Sequence, residues 1–321
     1  MKKLISILLI FSLLLIILSG CTQNNDSEGD NKISIVSTIF APYDFAREIA
    51  GDRAEVTMLL PPGSESHSYE PTPQDIIKIQ NCDVFMYIGG DSDIWVHEIL
   101  ESMDTGKMKI ITLMDCVDVV EEEFVEGMES EHEDEHEDED EHEDEHEYDE
   151  HVWTSPQNAK LIVQKISDML CEIDNENTDS YKKNTVEYLA QLNELDVKFQ
   201  EIVNSSARKT LIFGDRFPFR YFADTYGLKY FAAFPGCSTE TEASAATVAF
   251  LIDKIKAEGI PVVFHVELSN QKMANTVSES TGAKILLFHA CHNVTKDEMA
   301  KNVSYIELMN QNASNLEEAL K

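Results

Sequence analysis

Residues 33–60 read ISIVSTIFAPYDFAREIAGDRAEVTMLL, and this stretch decides the fold class. Residues 33–37 are rich in β-branched side chains, residues 42–50 follow a helical pattern, and residues 55–60 have the composition of a second strand. The order strand, helix, strand predicts a β-α-β opening. The alternation continues, with expected strands at 84–88 and 109–113 and expected helices at 73–80 and 94–103. This predicts an α/β fold with a helix-covered parallel sheet and a ligand site at the carboxyl ends of the strands.

The second half of the chain begins with one long helical pattern. Residues 179–205 carry apolar side chains at approximate helical spacing, without glycine or proline. Further strands are expected at 210–213, 261–266 and 284–288. About 290 residues follow the N-terminal segment, enough for two lobes of ordinary size. We therefore expect a first lobe at 33–178 and a second at 206–321, with the helix between them.

An acidic run separates the expected strands of the first lobe from the long helix. Residues 121–150 contain 20 Asp or Glu residues and no Lys or Arg, so charge repulsion predicts a solvated loop. Four histidines lie within it, at His132, His136, His142 and His146. Short histidine-rich tracts are typical of metal binding, and we predict that this loop contacts metal. The alternative is an acidic run that serves only solubility.

The N-terminus has the features of an export signal with a lipid attachment site. Lys2 and Lys3 precede an apolar run at 4–18 that is too short for a membrane span. The run ends in Leu-Ser-Gly-Cys, which predicts a signal peptide at 1–20, lipidation of Cys21 and a polar tether at 21–32. An ordinary signal peptide with a chance cysteine is the alternative. The protein is expected outside the cytoplasmic membrane, held by lipid.

Two histidines lie beside expected helix starts. His67 follows a rigid turn of two prolines and a glycine, shortly before Thr72 and Pro73, which predict a helix cap and first residue. His151 precedes Ser155 and Pro156, which form the same signal. A lone loop histidine is ordinarily a surface residue, but two in equivalent settings suggest a shared role.

These motifs together resemble a known family. They are Pro-Gly-x-x-x-His-x-Tyr-Glu-Pro-Thr-Pro around His67, the acidic histidine-rich loop, the His-x-Trp-x-Ser-Pro segment at 151–156, the Tyr-Phe pair at 221–222, and the closing segment from Ser304. The chain resembles the cluster A-I solute-binding lipoproteins of ABC transporters for zinc and manganese, a ZnuA-like group. The resemblance implies two parallel-sheet α/β lobes joined by a long rigid helix, with the metal in the cleft between them.

The resemblance also implies a ligand set, from which this chain departs at one position. Arg216 stands where the family has a third ligand, and a guanidinium cannot bind a cation. Asp215 is the nearest substitute, and His289 aligns with the acidic residue that completes the family's site. The expected metal ligands are therefore His67, His151 and His289, with Asp215 or a nearby Glu as the fourth. His292, Cys237 and Cys291 lie close by in sequence, and any of them remains an alternative.

Charge and motifs narrow the expected function. The formal net charge of −35, of which −15 lies outside residues 121–150, repels nucleic acid and attracts cations. Three imidazoles with a carboxylate suit Zn²⁺, whereas Mn²⁺ prefers oxygen ligands. The string His-Glu-x-x-His occurs at 132–136 and at 142–146, but both copies lie in the predicted solvated loop. No such motif falls on an expected helix, as a zinc hydrolase requires. We expect a monomeric zinc receptor, not an enzyme, that delivers Zn²⁺ to an ABC permease. A manganese receptor and a surface metal buffer or adhesin acting through the loop are the alternatives.

Overall fold

A computed structural model describes residues 32–65, 69–128, 147–236, 238 and 243–321 of the 321-residue chain. Several sequence predictions lie outside these ranges: the signal peptide at 1–20, all but Lys32 of the tether at 21–32, the lipidation residue Cys21, and the candidate ligands His67, His132, His136, His142 and His146. No helix of the described residues is both long and apolar enough to span a membrane.

The first lobe is built on a four-stranded parallel sheet with the strand order β2-β1-β3-β4. Its elements are β1 (Ile33–Ser37), α1 (Phe40–Ala50), β2 (Ala54–Met58), α2 (Pro73–Asn81), β3 (Val84–Tyr87), α3 (Ile94–Ser102), β4 (Lys109–Thr112) and α4 (Pro156–Ile173). In the register of the sheet, Ile35 of β1 pairs with Val56 on one side and Val84 on the other. The predicted β-α-β opening is thus confirmed.

The second lobe repeats this topology with the strand order β6-β5-β7-β8, also parallel. Its elements are β5 (Thr210–Phe217), α6 (Arg220–Tyr226), β6 (Lys229–Pro235), α7 (Ala245–Glu258), β7 (Val262–His265), α8 (Lys272–Thr281), β8 (Lys284–Leu287), α9 (Lys296–Ala300) and α10 (Tyr305–Leu320). Strand β5 runs four residues beyond its predicted end, through a register shift between Phe213 and Arg216. Gly214 makes this possible, because a β-carbon there would lie 2.7 Å from the Cα of Ala274.

A 28-residue helix, α5 (Thr178–Ser205), connects the lobes as predicted. Its apolar face includes Leu192 and Phe199, which are fully buried in a core cluster that also contains Ile35 of the first sheet and Phe213 of the second. The C-terminal helix α10 packs against α5 and α1 as well as against β5 and β8. The two lobes therefore share one continuous core, so the fold resists a wide hinge motion about α5.

Asp44 is a fully buried carboxylate that joins three helices. It accepts the backbone N–H of Tyr305 at 2.8 Å, where α10 begins, and the hydroxyl of Tyr188 in α5 at 3.4 Å. It also forms an ion pair with Arg47 of its own helix, α1. Burial raises the pKa of Asp44 to about 6, against the opposing effects of Arg47 and the Tyr305 N–H.

The raised pKa of Asp44 predicts that the free energy of unfolding falls as the pH rises. Protonated Asp44 stabilises the folded state. This stabilisation is complete below the unfolded-state pKa near 4 and is lost as the pH rises through about 6. The shift corresponds to a loss on the order of 3 kcal/mol between pH 4 and pH 8. We expect Asp44→Asn to flatten the decline in the free energy of unfolding from pH 5 to pH 8, measured by denaturant titration at both pH values.

The matched control is Asp75→Asn. Hydrogen bonds from Lys78 and Thr72 outweigh burial and lower the pKa of Asp75, so this carboxylate stays ionised from pH 5 to pH 8. The control should keep the pH dependence of the wild type. A parallel pH dependence of Asp44→Asn and the wild type would contradict the prediction.

Candidate metal centre

The candidate site lies at the carboxyl ends of the strands, at the centre of both sheets. Strand β1 lies between β2 and β3, and β5 lies between β6 and β7, so each sheet has its topological switch point beside its first strand. Open parallel sheets bind ligands at such points. The segments that follow β7 and β8 carry Glu267 and residues 289–293, which face the segment around His151.

His151 is completely buried and is held by a buried carboxylate. Asp149 Oδ1 lies 3.0 Å from His151 Nδ1 and accepts the backbone N–H of the same histidine at 2.8 Å. The carboxylate fixes the proton on Nδ1, so the lone pair of the neutral ring lies on Nε2, the nitrogen suited to bind a metal ion. Burial by itself lowers the pKa of His151, but the charge and hydrogen bond of Asp149 raise it by more, so the net shift is upward.

The segment after His151 anchors the histidine in the core. Residues Val152–Thr154 form a short 3-10 helix in which Trp153 is fully buried and donates its indole N–H to Ala290 O at 2.7 Å. Ser155 then caps α4 by accepting the N–H of Gln157, with Pro156 as the first helical residue, as predicted. The ring of His151 is therefore fixed by its position immediately before a packed helix start.

His292 is the histidine that lies beside His151. Their ring centroids are 4.7 Å apart, and the His292 centroid is 4.8 Å from that of Trp153. Two imidazoles that share a tetrahedral zinc, with Zn–N bonds of about 2.1 Å, have centroids roughly 5 Å apart. The observed separation is compatible with a shared metal ion.

Glu267 orients the segment that carries His292. One oxygen of its carboxylate accepts the backbone N–H of Ala290 at 2.7 Å and the other accepts that of His292 at 3.1 Å. Cys291, between them, has φ of +61°, a left-handed conformation that turns the chain. On the other side, His292 O accepts the N–H of Phe40, the first residue of α1.

Two of the predicted ligands have other partners in the structure. His289 Nδ1 accepts the N–H of Cys291 at 3.0 Å, so the neutral ring carries its proton on Nε2 and offers no lone pair there. Asp215 accepts the N–H of Arg216 with one oxygen and that of Val266 with the other. Both side chains thus hold the backbone at strand ends. His289 and Asp215 stay predictions, and His292, the alternative named from the sequence, is the histidine in ring contact with His151.

Arg216, at the position where the resemblance implies a ligand, bridges the two lobes. It is 9% exposed, and it donates to Ser238 O at 3.2 Å and to Glu65 Oε1 at 2.7 Å. Arg216 lines the cleft between the lobes, and Glu65, Glu267, His292 and Asn293 also line it. The guanidinium holds the segment around Glu65 against the second lobe.

The described residues on both sides of residues 66–68 line cavities that His292 also lines. Glu65 contributes to the cleft, and Tyr69 contributes to a second cavity together with Thr38 and Asp93. Burial raises the pKa of Asp93 to about 7; the Ile88 N–H opposes the shift and the Glu150 carboxylate adds to it. The surroundings of the two histidines are thus rich in buried carboxyl groups.

Within the described residues, no group of three or more His, Cys, Asp or Glu side chains is arranged to hold a metal ion. The structure therefore brings together the pair His151 and His292, supported by Asp149 and Glu267. Sequence reasoning overlooked Asp149 and Glu267 as positioning residues. Two features of the sequence point to these residues: Asp149 lies two residues before a candidate ligand, and Glu267 lies at the end of an expected strand.

Two parallel α/β lobes that share a core through one long helix, with histidines in the cleft, define a solute-binding receptor of the rigid-helix class. A sequence profile described as "Zinc-uptake complex component A periplasmic" matches residues 35–319. The chain belongs to this family.

Individual relatives agree with this assignment. The chain is 35% identical over 302 residues to the high-affinity zinc uptake system protein ZnuA of Bacillus subtilis, covering 94% of this chain and 92% of the relative. It is 32% identical to the zinc-binding lipoprotein AdcA of Streptococcus pneumoniae, of whose length it spans 60%, over 97% of its own. The Zn(II)-bound ZnuA-like domain of AdcA superposes with a TM-score of 0.72 at 29% identity, covering 90% of this chain and 99% of that domain.

The two histidines of the segment after β8 can be distinguished by substitution. We expect His292→Ala to weaken zinc binding by more than about 100-fold, because loss of a ligand exceeds the 10- to 100-fold effect of losing an outer partner. His289→Ala, the matched variant three residues away, should weaken binding only as far as the loss of an outer partner does, by at most about 10- to 100-fold. Competition with a chromophoric chelator measures both affinities. The reverse order of effects would identify His289 as the ligand, as the resemblance implies.

Proposed function

We propose that the protein is an extracytoplasmic zinc receptor that captures Zn²⁺ and delivers it to an ABC permease without chemistry at the metal. The observation that carries this proposal is the buried pair of His151 and His292, with Asp149 on the Nδ1 of His151. A carboxylate behind a ligating imidazole fixes its tautomer and increases its basicity. Lipid attachment through Cys21 and function as a monomer are further parts of the proposal.

Zinc is the proposed cargo because of the donor set. The proposed ligands are His151, His292 and, from its sequence motif, His67. Imidazole nitrogens in a four-coordinate site suit Zn²⁺, whereas Mn²⁺ requires more oxygen ligands. The printed names of the relatives, which are zinc uptake and zinc-binding proteins, support the same choice.

The acidic loop is joined to the body by a stem, defined as residues 120–128 and 147–149. Its two sides pair as antiparallel chains, with Glu122 N–H donating to Glu147 O and Asp149 N–H donating to Val120 O, both at 2.9 Å. The hydroxyl of Tyr221 in α6 donates to Asp149 O at 2.7 Å. The stem thus lies against the second lobe and leads directly into His151.

Further contacts attach the stem to the second lobe. Glu123 forms an ion pair with Arg220 and accepts the hydroxyl of Tyr230 at 3.0 Å. Gly127 has φ of +84° and packs so closely on Phe250 that a β-carbon there would lie 2.1 Å from the ring. The stem is therefore part of the folded body, and a test of the loop must leave it intact.

Deleting residues 129–146 tests the cleft and the loop separately. This deletion removes all four loop histidines but keeps the stem and Asp149. We expect calorimetric titration to show one tight zinc event and to lose weaker events present in the full-length mature protein, because the loop concentrates zinc near the cleft. Deleting 121–150 instead should weaken the remaining event by about 10- to 100-fold, since Asp149 is lost from behind His151.

The alternatives give different titrations of the protein lacking 129–146. A manganese receptor would bind Mn²⁺ more tightly than Zn²⁺. A surface buffer acting through the loop would lose nearly all its zinc binding. Either result would overturn the proposed function, whereas equal affinity after both deletions would overturn only the role given to Asp149.

A further inference from the structure

Four cross-lobe hydrogen bonds converge on three consecutive residues, 292–294, of the second lobe. His292 O accepts the N–H of Phe40, and Val294 O accepts the N–H of Gly63, both at 2.8 Å. Asn293 makes the other two through its side-chain amide. The partners in the first lobe lie immediately after β1 and β2, so this short segment fastens the strand ends of one sheet to those of the other.

Asn293 is the central residue of this connection. Its side-chain N–H groups donate to Pro61 O and Ser64 O, both at 2.8 Å, and its Oδ1 accepts the N–H of Val294 at 2.8 Å. Because both carbonyl partners can only accept, the orientation of the amide is determined by its neighbours. The residue is 1% exposed, so its three hydrogen bonds are shielded from water.

The partner of Asn293 is a tight turn. Ser64 N–H donates to Pro61 O at 3.0 Å, and Gly63 has φ of +85°, as in a type II turn with proline and glycine at its centre. Pro61 O thus accepts from both the turn itself and Asn293. The turn is rigid on its own, and Asn293 fixes it as a unit against the segment that carries His292.

We propose that Asn293 is a positioning residue of the zinc site, an inference that rests on the proposed function. Its amide holds the Pro61–Ser64 turn against the His292 segment, so the two lobes keep the cleft at its binding width before zinc arrives. Preorganisation of this kind raises affinity by removing an ordering cost from the binding step. Asn293 performs this role through neutral hydrogen bonds, without a charge and without binding the metal itself.

Asn293→Ala tests the proposal. We expect zinc affinity to fall by about 10- to 100-fold, as for other outer-shell partners of metal ligands, with most of the change in the dissociation rate. Competition with a chelator gives the affinity, and stopped-flow mixing with excess chelator gives the rate. The visible absorption of the Co²⁺-loaded protein reports ligand geometry, and it should change in the variant. Asn293→Ser, which keeps one hydroxyl donor, should be intermediate.

Asn184→Ala is the matched control. Its amide donates to Ile49 O at 2.9 Å, joining α5 to α1 at a distance from the cleft residues. This variant should lower the melting temperature while leaving the zinc affinity and the Co²⁺ spectrum unchanged.

The outcomes separate the two proposals. If Asn293→Ala binds zinc within twofold of wild type with an unchanged Co²⁺ spectrum, the positioning role is wrong. If Asn293→Ala does not fold, the same criteria apply to Asn293→Ser. If the wild type shows no tight zinc binding, the proposed function is overturned and this inference with it.

Discussion

The candidate site depends on the hydrogen bond between His151 Nδ1 and the carboxylate of Asp149. An imidazole that is completely buried has no water to select its tautomer, so a protein partner must do so. Asp149 fixes the ring and the backbone of the same residue, and Tyr221 in turn holds the carbonyl of Asp149. Because Tyr221 belongs to the second lobe, the candidate ligand contributed by the first lobe is oriented by contacts from both lobes.

The two lobes have the same sheet topology but contribute different chemical groups to the contact between them. In the first, the segments after β1 and β2 present backbone groups, from Phe40 to Ser64. In the second, the segment after β8 presents His292 and Asn293, with Glu267 behind it. One lobe therefore supplies a rigid turn and the start of α1, and the other binds them through the Asn293 amide and two backbone carbonyls. The shared core along α5 fixes the distance over which these groups must reach.

Local patterns in the sequence were sufficient for the fold class and for the position of His151 just before a helix start. The strands and helices of the first lobe, the caps at Thr72 and Ser155, and the uninterrupted pattern of α5 were predicted correctly, because each depends on neighbours in sequence. Strand β6 of the second lobe was not predicted. The choice between His289 and His292 depends instead on the left-handed backbone conformation of Cys291, and a cysteine in the sequence does not predict such a conformation. Asp149 is one of 20 acidic residues in its run, and only packing against His151 distinguishes it.

The stem of the acidic loop has a consequence for how the chain tolerates change. Its antiparallel pairing holds the entry and exit of the insertion side by side, whatever lies between them. Lengthening an insertion whose ends are already fixed costs little, roughly 0.6 kcal/mol for each doubling. Residues 129–146 can thus gain or lose acidic and histidine units over generations at small energetic cost, while the geometry at His151 stays the same. The stem therefore separates residues 129–146, whose number and composition can change at small energetic cost, from residues 147–151, whose positions determine the geometry at His151.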